Sequence, residues 1–510
     1  MATKFLYGAS VQGIQSFIFQ TNELKDIIGA SELVNQICTT EFSDFEKNGE
    51  KVVGAAGNIK YIFDNREDCE RAVLEFPKHV MELAPGITIS QAVVEMKDEF
   101  ADFGKAVNEL ERKLRIQRNR PIPSLSLGLM ATERYDKTGM PAAGKDKEGN
   151  LVDISTLKKL KAGKEKDESG KTLRSRLCDK AFGEYVKPEN YPFDISNITL
   201  QNEWIAVIHA DGNGLGKIIQ NIGDDKDLLK AFSSKLDNAT ENAAKDAFNT
   251  IKSTYGINEE KKVPVRPVVI GGDDFTVICR ADFAVEYTAA YIKAFEEQTK
   301  KKLGDILNSK GLQENLTACA GIAFIKSSYP FYYGYNLAEE LCSAAKKDAK
   351  EFNKDFAPSC LMFHKVQDSF VVDYKDITKR ELIPGKDMSW KFGPYYIKDD
   401  IAVANNRWTV DKLIHKVIIL DSEKDGNAVK SAIREWMTEM HNNPASAEQL
   451  LMRAKQIYKK ESKEYSTLED ATSSSDRKYK DSYTGKEKFR KTYPAYDILS
   501  LLTVINQKTK

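Results

Sequence analysis

The sequence has few of the residues that build zinc ribbons, secreted proteins or membrane spans. Its seven cysteines are scattered along 510 residues without one Cys-x-x-Cys pair. Zinc-ribbon spacing is therefore absent, and we expect no structural zinc. Unpaired cysteines suit a reducing compartment. No apolar run approaches the roughly 18 residues of a membrane helix, and no secretory signal opens the chain. These absences predict a cytoplasmic protein without a membrane partner.

An excess of charge of either sign is also missing. Lysine plus arginine and aspartate plus glutamate both total 76, which gives a formal net charge of zero. The overall charge thus gives no support to a dedicated nucleic-acid-binding protein. Basic residues do concentrate in one stretch, and we interpret it as a solvated linker, with contact to RNA or a partner as the alternative. The stretch contains Lys158, Lys159, Lys161, Lys164, Lys166, Lys171 and Arg174.

One short motif carries most of the chemical information. Gly271-Gly272-Asp273-Asp274-Phe275 lies between two apolar runs, 267–270 and 276–279. Two strands joined by such a turn predict a hairpin with adjacent carboxylates at its tip, since glycine permits the backbone conformations of a tight turn. Paired carboxylates on a rigid tip suit a divalent cation and a nucleoside triphosphate. A solvated turn with no ligand is the alternative.

A second acidic site lies upstream. Residues 204–210 predict a buried strand that runs into Asp211-Gly212-Asn213-Gly214. The following apolar patterns predict the order strand, helix, strand, strand, helix, strand, which is the ferredoxin-like arrangement. In that topology the end of the first strand and the hairpin turn share one edge of the sheet. We therefore expect Asp211 to meet Asp273 and Asp274, and the three carboxylates to hold two Mg²⁺ or Mn²⁺ ions.

The N-terminal third repeats this pattern without the acids, which predicts a tandem duplication. The alternative is that both halves are unrelated α+β domains. The aligned segments are 9–20 on 209–220, 52–63 on 268–279 and 87–96 on 316–325. This alignment places Val11, Gly57 and Asn58 opposite Asp211, Asp273 and Asp274. We call the N-terminal repeat the first palm and the repeat with the acids the second palm. The first palm is thus expected to lack metal but to bind or shape a nucleotide site, with Ser10, Gln12 and Asn58 as hydrogen-bonding candidates.

The predicted fold class is α+β, with two ferredoxin-like palm domains in tandem and a mainly helical C-terminal domain. Its expected parts are a degenerate first palm (1–131), a Lys-rich inter-palm segment (132–200), a catalytic second palm (201–370) and the C-terminal domain (371–510). Apolar spacing predicts C-terminal helices over 410–420, 428–441, 446–459 and 495–505. Residues 473–478 are polar and predict an exposed loop.

Paired palms with a single Gly-Gly-Asp-Asp hairpin resemble the large, palm-polymerase subunit of type III CRISPR effector complexes and the related nucleotide cyclases. Further likeness lies in Gly13-Ile14-Gln15-Ser16-Phe17-Ile18, in the Asp211 loop and in residues 341–346. The resemblance implies two facing palms that make a cyclic oligoadenylate second messenger from ATP in antiviral defence. It also implies a downstream effector that senses the product, with RNA or CRISPR effector subunits as further candidate partners.

The resemblance also implies roles for particular residues. Asp211, Asp273 and Asp274 are expected to be catalytic and to bind metal. Lys346 corresponds to a family lysine suited to the triphosphate, and a surface lysine is the alternative. His209 is interpreted as a packed strand residue. The full set of expected nucleotide-binding residues is Gly212, Asn213, Gly214, Gly271, Gly272, Lys346 and Asn58.

Three departures from the family limit what the resemblance implies. The chain has no His-Asp dipeptide, so we expect no HD nuclease activity. The stretch 132–143 between the palms has no cysteine, and Asn213 stands where the family often has a second aspartate. Two other functions remain open. A diguanylate cyclase shares the palm and hairpin but usually needs two chains, and a non-catalytic scaffold of a CRISPR-like complex would not need all three aspartates.

Overall fold

The computed structural model describes residues 3–45, 49–55, 57–97, 99–120, 131–166, 170, 172–199, 204–258, 260–368, 373–385, 387–421, 426–480 and 486–505. A four-stranded antiparallel sheet in the order β2-β3-β1-β4 forms the first palm. Its elements are β1 (Lys4–Gln12), α1 (Ile14–Ile18), α2 (Leu24–Cys38), α3 (Thr40–Ser43), β2 (Gly49–Ala55), β3 (Asn58–Phe63), α4 (Arg66–Leu83), β4 (Thr88–Met96) and α5 (Glu99–Arg118).

The inter-palm segment is folded and packs on the first palm. It contains β5 (Ala142–Lys145), β6 (Leu151–Asp153), α6 (Ile154–Ala162) and α7 (Arg176–Phe182). Lys159 of α6 is fully buried, and its Nζ donates hydrogen bonds to Phe17 O and Gln20 Oε1, both at 2.8 Å. The interpretation of this stretch as a solvated linker is therefore wrong for Lys159, because tertiary acceptors satisfy its ammonium group. Lys171 lies outside the described residues.

The second palm has the same strand order as the first, with two strands added at one edge. Its sheet runs β13-β11-β10-β7-β9-β8, so the order β8-β9-β7-β10 reproduces β2-β3-β1-β4. The predicted fold class is confirmed. The elements are β7 (Trp204–Gly212), α8 (Leu215–Ile222), α9 (Lys226–Tyr255), β8 (Val265–Gly271), β9 (Asp274–Arg280), α10 (Ala284–Ser309), β10 (Ala318–Lys326), α11 (Phe331–Phe352) and β11 (Cys360–Lys365).

The C-terminal region is mainly helical, as predicted, but it also contains a small sheet in the order β12-β15-β14. The predicted loop over 473–478 is wrong, because residues 475–480 pair with 487–492 and form a strand. The elements are α12 (Tyr374–Ile377), β12 (Met388–Ser389), β13 (Tyr395–Tyr396), α13 (Asp399–Ala404), α14 (Val410–Asp421), α15 (Gly426–Asn442), α16 (Pro444–Ile457), α17 (Lys463–Thr472), β14 (Ser475–Lys480), β15 (Glu487–Thr492) and α18 (Ala495–Ile505). The four domain ranges stay a proposal.

The sequence predicted no membrane-spanning helix and no structural zinc site. Within the described ranges, no helix is both long enough and apolar enough to cross a membrane. All seven cysteines are buried with free thiols. The absence of a structural zinc ion stays a prediction.

The strand registers correct one part of the duplication. In the first palm Ser10 pairs with Asn58, and Ala55 pairs with Asn58 across the hairpin. In the second palm the corresponding hairpin pair is Gly271 with Asp274, which makes Asn58 the counterpart of Asp274. Since Ala210 pairs with Phe275, the next residues along these strands are Asp211 and Asp274.

Ser10, and not Val11, is therefore the counterpart of Asp211. The glycines that precede the next helices support this correspondence. Gly13 (φ 70°) follows Ser10 by the same number of residues as Gly214 (φ 73°) follows Asp211, and both glycines are left-handed. The predicted position of Val11 is wrong by one residue. A strand buried on both faces lacks the alternation of polar and apolar residues that fixes register in a sequence.

Candidate active site

The three aspartates of the motifs come together at one edge of the second sheet. Strand β7 is antiparallel to β9, so its last residues lie beside the tip of the β8–β9 hairpin. Ligand atoms of His209, Asp211 and Asp274 lie within 4.8 Å of one another. The Asp273 side chain hydrogen bonds with Asp211. A Cβ on Gly212 would lie 2.9 Å from Cβ of Asp273, so only glycine admits this contact.

Two side chains of helix α9 hydrogen bond with the backbone of the hairpin turn. The turn has two central residues, Gly272 and Asp273, and Gly272 has φ 60°, a conformation that other residues adopt only with strain. The Gly272 N–H donates to Asp237, and Thr240 Oγ1 donates to Gly272 O, both at 2.5 Å. Sequence reasoning missed these two supports. Thr240 is completely buried on the apolar face of α9, and a buried polar residue at that position was the available signal.

Negative charge is in excess at this edge of the sheet. Burial raises the pKa of Asp273, and the charges of Asp274 and Asp211 raise it further. Burial and the Asp211 charge raise the pKa of Asp274 to about 7. Like charges held close together in a partly desolvated site disfavour ionisation, so the hairpin aspartates retain protons that exposed carboxyls would lose.

Lys346 is the cation that partly balances these carboxylates. Its Nζ forms an ion pair with Asp211 and donates a hydrogen bond to Gly212 O at 2.8 Å. The side chain is only 17% exposed, which contradicts the alternative of a solvated surface lysine. Burial alone would lower the pKa of Lys346, but the Asp211 carboxylate raises it. The ammonium group therefore stays charged beside the cluster.

Two further side chains lie at the cluster: Glu339, which the sequence analysis did not name, and His209, which it interpreted only as a packed strand residue. Glu339 lies two turns before Lys346 on α11, and burial together with Asp211 raises its pKa. His209 is buried, as its interpretation as a packed strand residue required, and its Nδ1 lies 3.0 Å from Thr276 Oγ1. Burial lowers the pKa of His209 to about 4, so the imidazole is neutral and offers a nitrogen ligand.

Residues 15–22 of the first palm pack against helix α11, close to the cluster. Gln15 hydrogen bonds with Tyr335 of α11, and Phe19 stacks on the Tyr335 ring with the centroids 4.7 Å apart. Asn22 Oδ1 accepts a hydrogen bond from Phe331 N at 2.9 Å. Tyr335 also meets the His209 ring edge to face at 5.4 Å. These contacts place the first palm against the helix that carries Glu339 and Lys346.

The remaining predicted residues occupy three different environments. Gly271 has open space where a side chain would stand, and Gly214 precedes α8. The buried Asn213 donates from Nδ2 to Thr317, Cys319 and Ala357, so this nitrogen holds the loop and is not available to a ligand. Its Oδ1 has no hydrogen-bond partner among the described residues. Asn58 is exposed at the start of β3 in the first palm, and its nucleotide contact stays a prediction.

The raised pKa of Asp274 predicts a pH-dependent stability. Folding moves this pKa from 3.8 to about 7, so the folded state keeps a proton that the unfolded state releases in this window. In the presence of a chelator, the free energy of unfolding is expected to fall as pH rises from about 4 to about 7. Urea titrations of wild type and Asp274→Asn at several pH values measure this effect. The fall should be shallower in the variant, and identical profiles would contradict the assignment.

Comparison with known proteins finds similarity to one family model and to several solved structures. Residues 204–355 match the family model of the Cas10/Cmr2 second palm domain. No curated protein matches the sequence. Among solved structures, Csm1–Csm4 cassettes in complex with cA4 and with pppApA match with a TM-score of 0.55 and with 13% and 14% identity. A cassette in complex with one ATP matches with a TM-score of 0.51 and 13% identity.

Each of these three matches covers 100% of this chain and 70% of the other chain. At such low identity these matches show a common fold. They do not show which ligands this protein binds. The resemblance to the large subunit of type III CRISPR effector complexes is confirmed, because residues 204–355 match the Cas10/Cmr2 second palm domain and the chain has the fold of Csm1.

Proposed function

We propose that this protein is a metal-dependent nucleotidyl cyclase that makes a cyclic oligonucleotide from ATP. The observation that carries the proposal is the meeting of Asp211, Asp273 and Asp274 at one sheet edge beside Lys346. These residues all lie within the segment that matches the Cas10/Cmr2 second palm. The structural neighbours bind ATP, pppApA and cA4, which supports an adenine nucleotide as the substrate.

The side chains of the cluster fit divalent metal ions. Among the described residues its carboxylates outnumber its lysine, and burial together with the neighbouring carboxylate charges raises the pKa values of Asp273 and Asp274. Carboxylate oxygens are the ligands that Mg²⁺ and Mn²⁺ prefer. We propose that Asp211, Asp273 and Asp274 hold two such ions. When bound, the ions supply charge neutralisation for the triphosphate and activation of the attacking ribose hydroxyl.

The protein's other residues would bind and orient the nucleotide. Lys346 can exchange its partner Asp211 for phosphate oxygens, because its ammonium group already points into the cluster. Among the described residues nothing lies within 4 Å of a Cβ at Gly271, and Gly272 likewise has no side chain, so the hairpin backbone would admit close approach by phosphate. Gly212 gives Asp273 the space to face β7. A rigid turn held by α9 keeps these groups in one geometry, which is a large part of what such a transferase contributes.

The first palm is proposed to position the acceptor nucleotide without metal. Ser10, Gly57 and Asn58 occupy the positions of the three aspartates, and none of them is a carboxylate. Its segment 15–22 packs on α11 beside the cluster, so a nucleotide held by the first palm would face the donor site. This arrangement would supply both half-sites within one chain, unlike a diguanylate cyclase.

Mass spectrometry of the reaction products tests this function. The protein is incubated with ATP or GTP and either Mg²⁺ or Mn²⁺, with and without added RNA and partner subunits. We expect a cyclic oligoadenylate from ATP. Turnover of GTP alone would support the diguanylate cyclase alternative. No product under any of these conditions would support the scaffold alternative and contradict the proposal.

A further inference from the structure

A groove lies where the C-terminal helices meet the sheet of the second palm, and its cavity volume is about 780 Å³. We refer to it as the C-terminal groove. The sheet contributes Trp204 at the start of β7, and Lys326 and Lys365 at the ends of β10 and β11. Residues of helices α15 and α18 form the other side. The volume lies within the range of small-molecule sites.

The strand registers place Trp204 and both lysines on one face of the sheet. Lys326 is directly opposite Trp204, and residues opposite each other on neighbouring strands share a face. Lys365 is opposite Phe324, which lies two residues before Lys326 and therefore on the same face. The ammonium groups of Lys326 and Lys365 lie 4.5 Å and 4.6 Å from the centroid of the Trp204 ring. One half-buried ring thus holds two cations close together.

Positive charge is in excess in the C-terminal groove. Among its described lining residues the cations are Lys326, Lys365 and Arg434, and the single carboxylate is Asp368. This surplus remains when Asp368 is counted in full, although Asp368 also lies 3.5 Å from Arg380. Burial lowers the pKa of Lys365, and the charge of Lys326 lowers it further. An anion bound between the two lysines would relieve their repulsion.

The helical side of the groove is largely apolar and aromatic. Met437 of α15 and Leu499 of α18 line it and are half-buried. Tyr496 of α18 stacks on His364 with the ring centroids 6.3 Å apart, and its hydroxyl accepts a hydrogen bond from Gln367 at 3.0 Å. These contacts fix the orientation of the tyrosine ring. The groove therefore combines cations on the sheet with apolar and aromatic surface on the helices.

The C-terminal groove is separate from the carboxylate cluster. Asp211 follows Trp204 by seven residues on the same strand, and that length of strand spans roughly 23 Å. The cluster and the groove thus lie at opposite ends of β7. Because none of the residues that line the groove belongs to the cluster, the site does not depend on the proposed cyclase function.

We propose that the C-terminal groove binds a nucleotide, with its phosphates between Lys326 and Lys365 and its base against Tyr496 and Leu499. Phosphate oxygens supply several negative charges that lysine ammonium groups can bind. A base is a planar group that packs on aromatic side chains. An acidic peptide would supply the charge without this planar group. Free ATP and the end of a 5′-phosphorylated RNA strand present the same chemistry, and the experiment separates these two sources.

Acetylation of lysines in the full-length protein reports directly on the groove. The protein is treated briefly with an acetylating reagent in chelator, with and without ATP, and modification is measured by mass spectrometry. ATP is expected to lower the modification of Lys326 and Lys365 several-fold and to leave the exposed Lys301 and Lys310 unchanged. Protection by ATP would assign the site to a free nucleotide, and protection only by 5′-phosphorylated RNA would assign it to a strand end.

Equilibrium dialysis with the protecting ligand then separates the groove from the carboxylate cluster. Lys326→Gln with Lys365→Gln is expected to weaken one site per chain roughly tenfold or more, since it removes charged hydrogen-bond donors. Asp273→Asn with Asp274→Asn should leave that site unchanged. Loss of the proposed cyclase activity in the aspartate variant would thus not affect the groove.

Matched controls exclude general effects of charge. Lys301→Gln with Lys310→Gln removes the same charge from exposed positions in and just after α10, and this variant should bind as wild type does. Adenosine and inorganic triphosphate, each one part of ATP, should both bind more weakly than ATP. Triphosphate that binds as tightly as ATP, equal protection by polyglutamate, protection by neither nucleotide nor RNA, or a groove variant that matches the control would overturn the proposal.

Discussion

Replacing Asp273 and Asp274 together by asparagine is expected to lower the rate of cyclic product formation by at least about 10²–10³-fold. Both carboxylates belong to the cluster that we propose to hold the divalent ions, and asparagine keeps their size but removes their charge. Without those charges the ions would no longer be held beside the triphosphate. Initial rates from ATP with Mg²⁺, measured for wild type and the double variant, give this ratio.

Two controls show that the loss is local. Asp305→Asn removes one carboxylate from an exposed position on α10 and should keep the wild-type rate. In chelator near neutral pH the free energy of unfolding of the double variant should be at least that of wild type, because the variant loses the repulsion between close carboxyls. It should also keep residual nucleotide binding through the first palm. A double variant with the full rate would refute the assignment of these aspartates, and one without any nucleotide binding would refute the role of the first palm.

Substituting Gly321 by alanine is expected to destabilise the protein by about 1–3 kcal/mol or more and to reduce activity. A Cβ at this position of β10 would lie 1.9 Å from Ala338 O and 2.5 Å from Cys342 N. These are backbone atoms of α11, so the helix must move as a unit to admit a methyl group. Such a movement would displace Glu339 and Lys346 from the carboxylates. Urea unfolding and the rate from ATP measure the two effects.

Gly216→Ala is the matched control for this substitution. Gly216 lies inside α8, and a Cβ there would meet no atom within 4 Å in the part of the chain that the structure describes. Alanine should leave the free energy of unfolding unchanged or raise it by up to about 1 kcal/mol, since it reduces the freedom of the unfolded chain. A Gly321→Ala variant that is as stable as the Gly216→Ala variant would show that α11 can move away from the sheet at little cost.

The hairpin and the meeting of the aspartates were predictable because they depend on local rules. Apolar runs on both sides of Gly271-Gly272-Asp273-Asp274 leave the turn as the polar tip, whatever surrounds it. The order of strands and helices then places the end of β7 next to that tip, since the ferredoxin-like topology leaves one arrangement for the two. Asp211 could thus be joined to the hairpin from a distant part of the sequence.

Other features of the site needed the tertiary structure. Glu339, Asp237 and Thr240 lie on helices whose sequence spacing does not say which residue will reach the hairpin. The first-palm contacts of Gln15 and Phe19 with Tyr335 join segments more than half the chain apart. Their partners are chosen by the packing of the two palms, and no local pattern encodes that choice.

The sequence by itself determined the two palms, the acidic hairpin and the C-terminal helices, because periodicity and turn residues act over a few neighbours. The tertiary structure decided the register of β1, which puts Ser10 at the position of Asp211, since a fully buried strand carries no alternating pattern. It also decided the burial of Lys159 and the pairing of residues 475–480. The acceptors of Lys159 lie 142 and 139 residues away along the chain. Residues 475–480 pair with the nearby segment 487–492, and both segments are mostly polar, so no alternation of apolar residues predicted the strands.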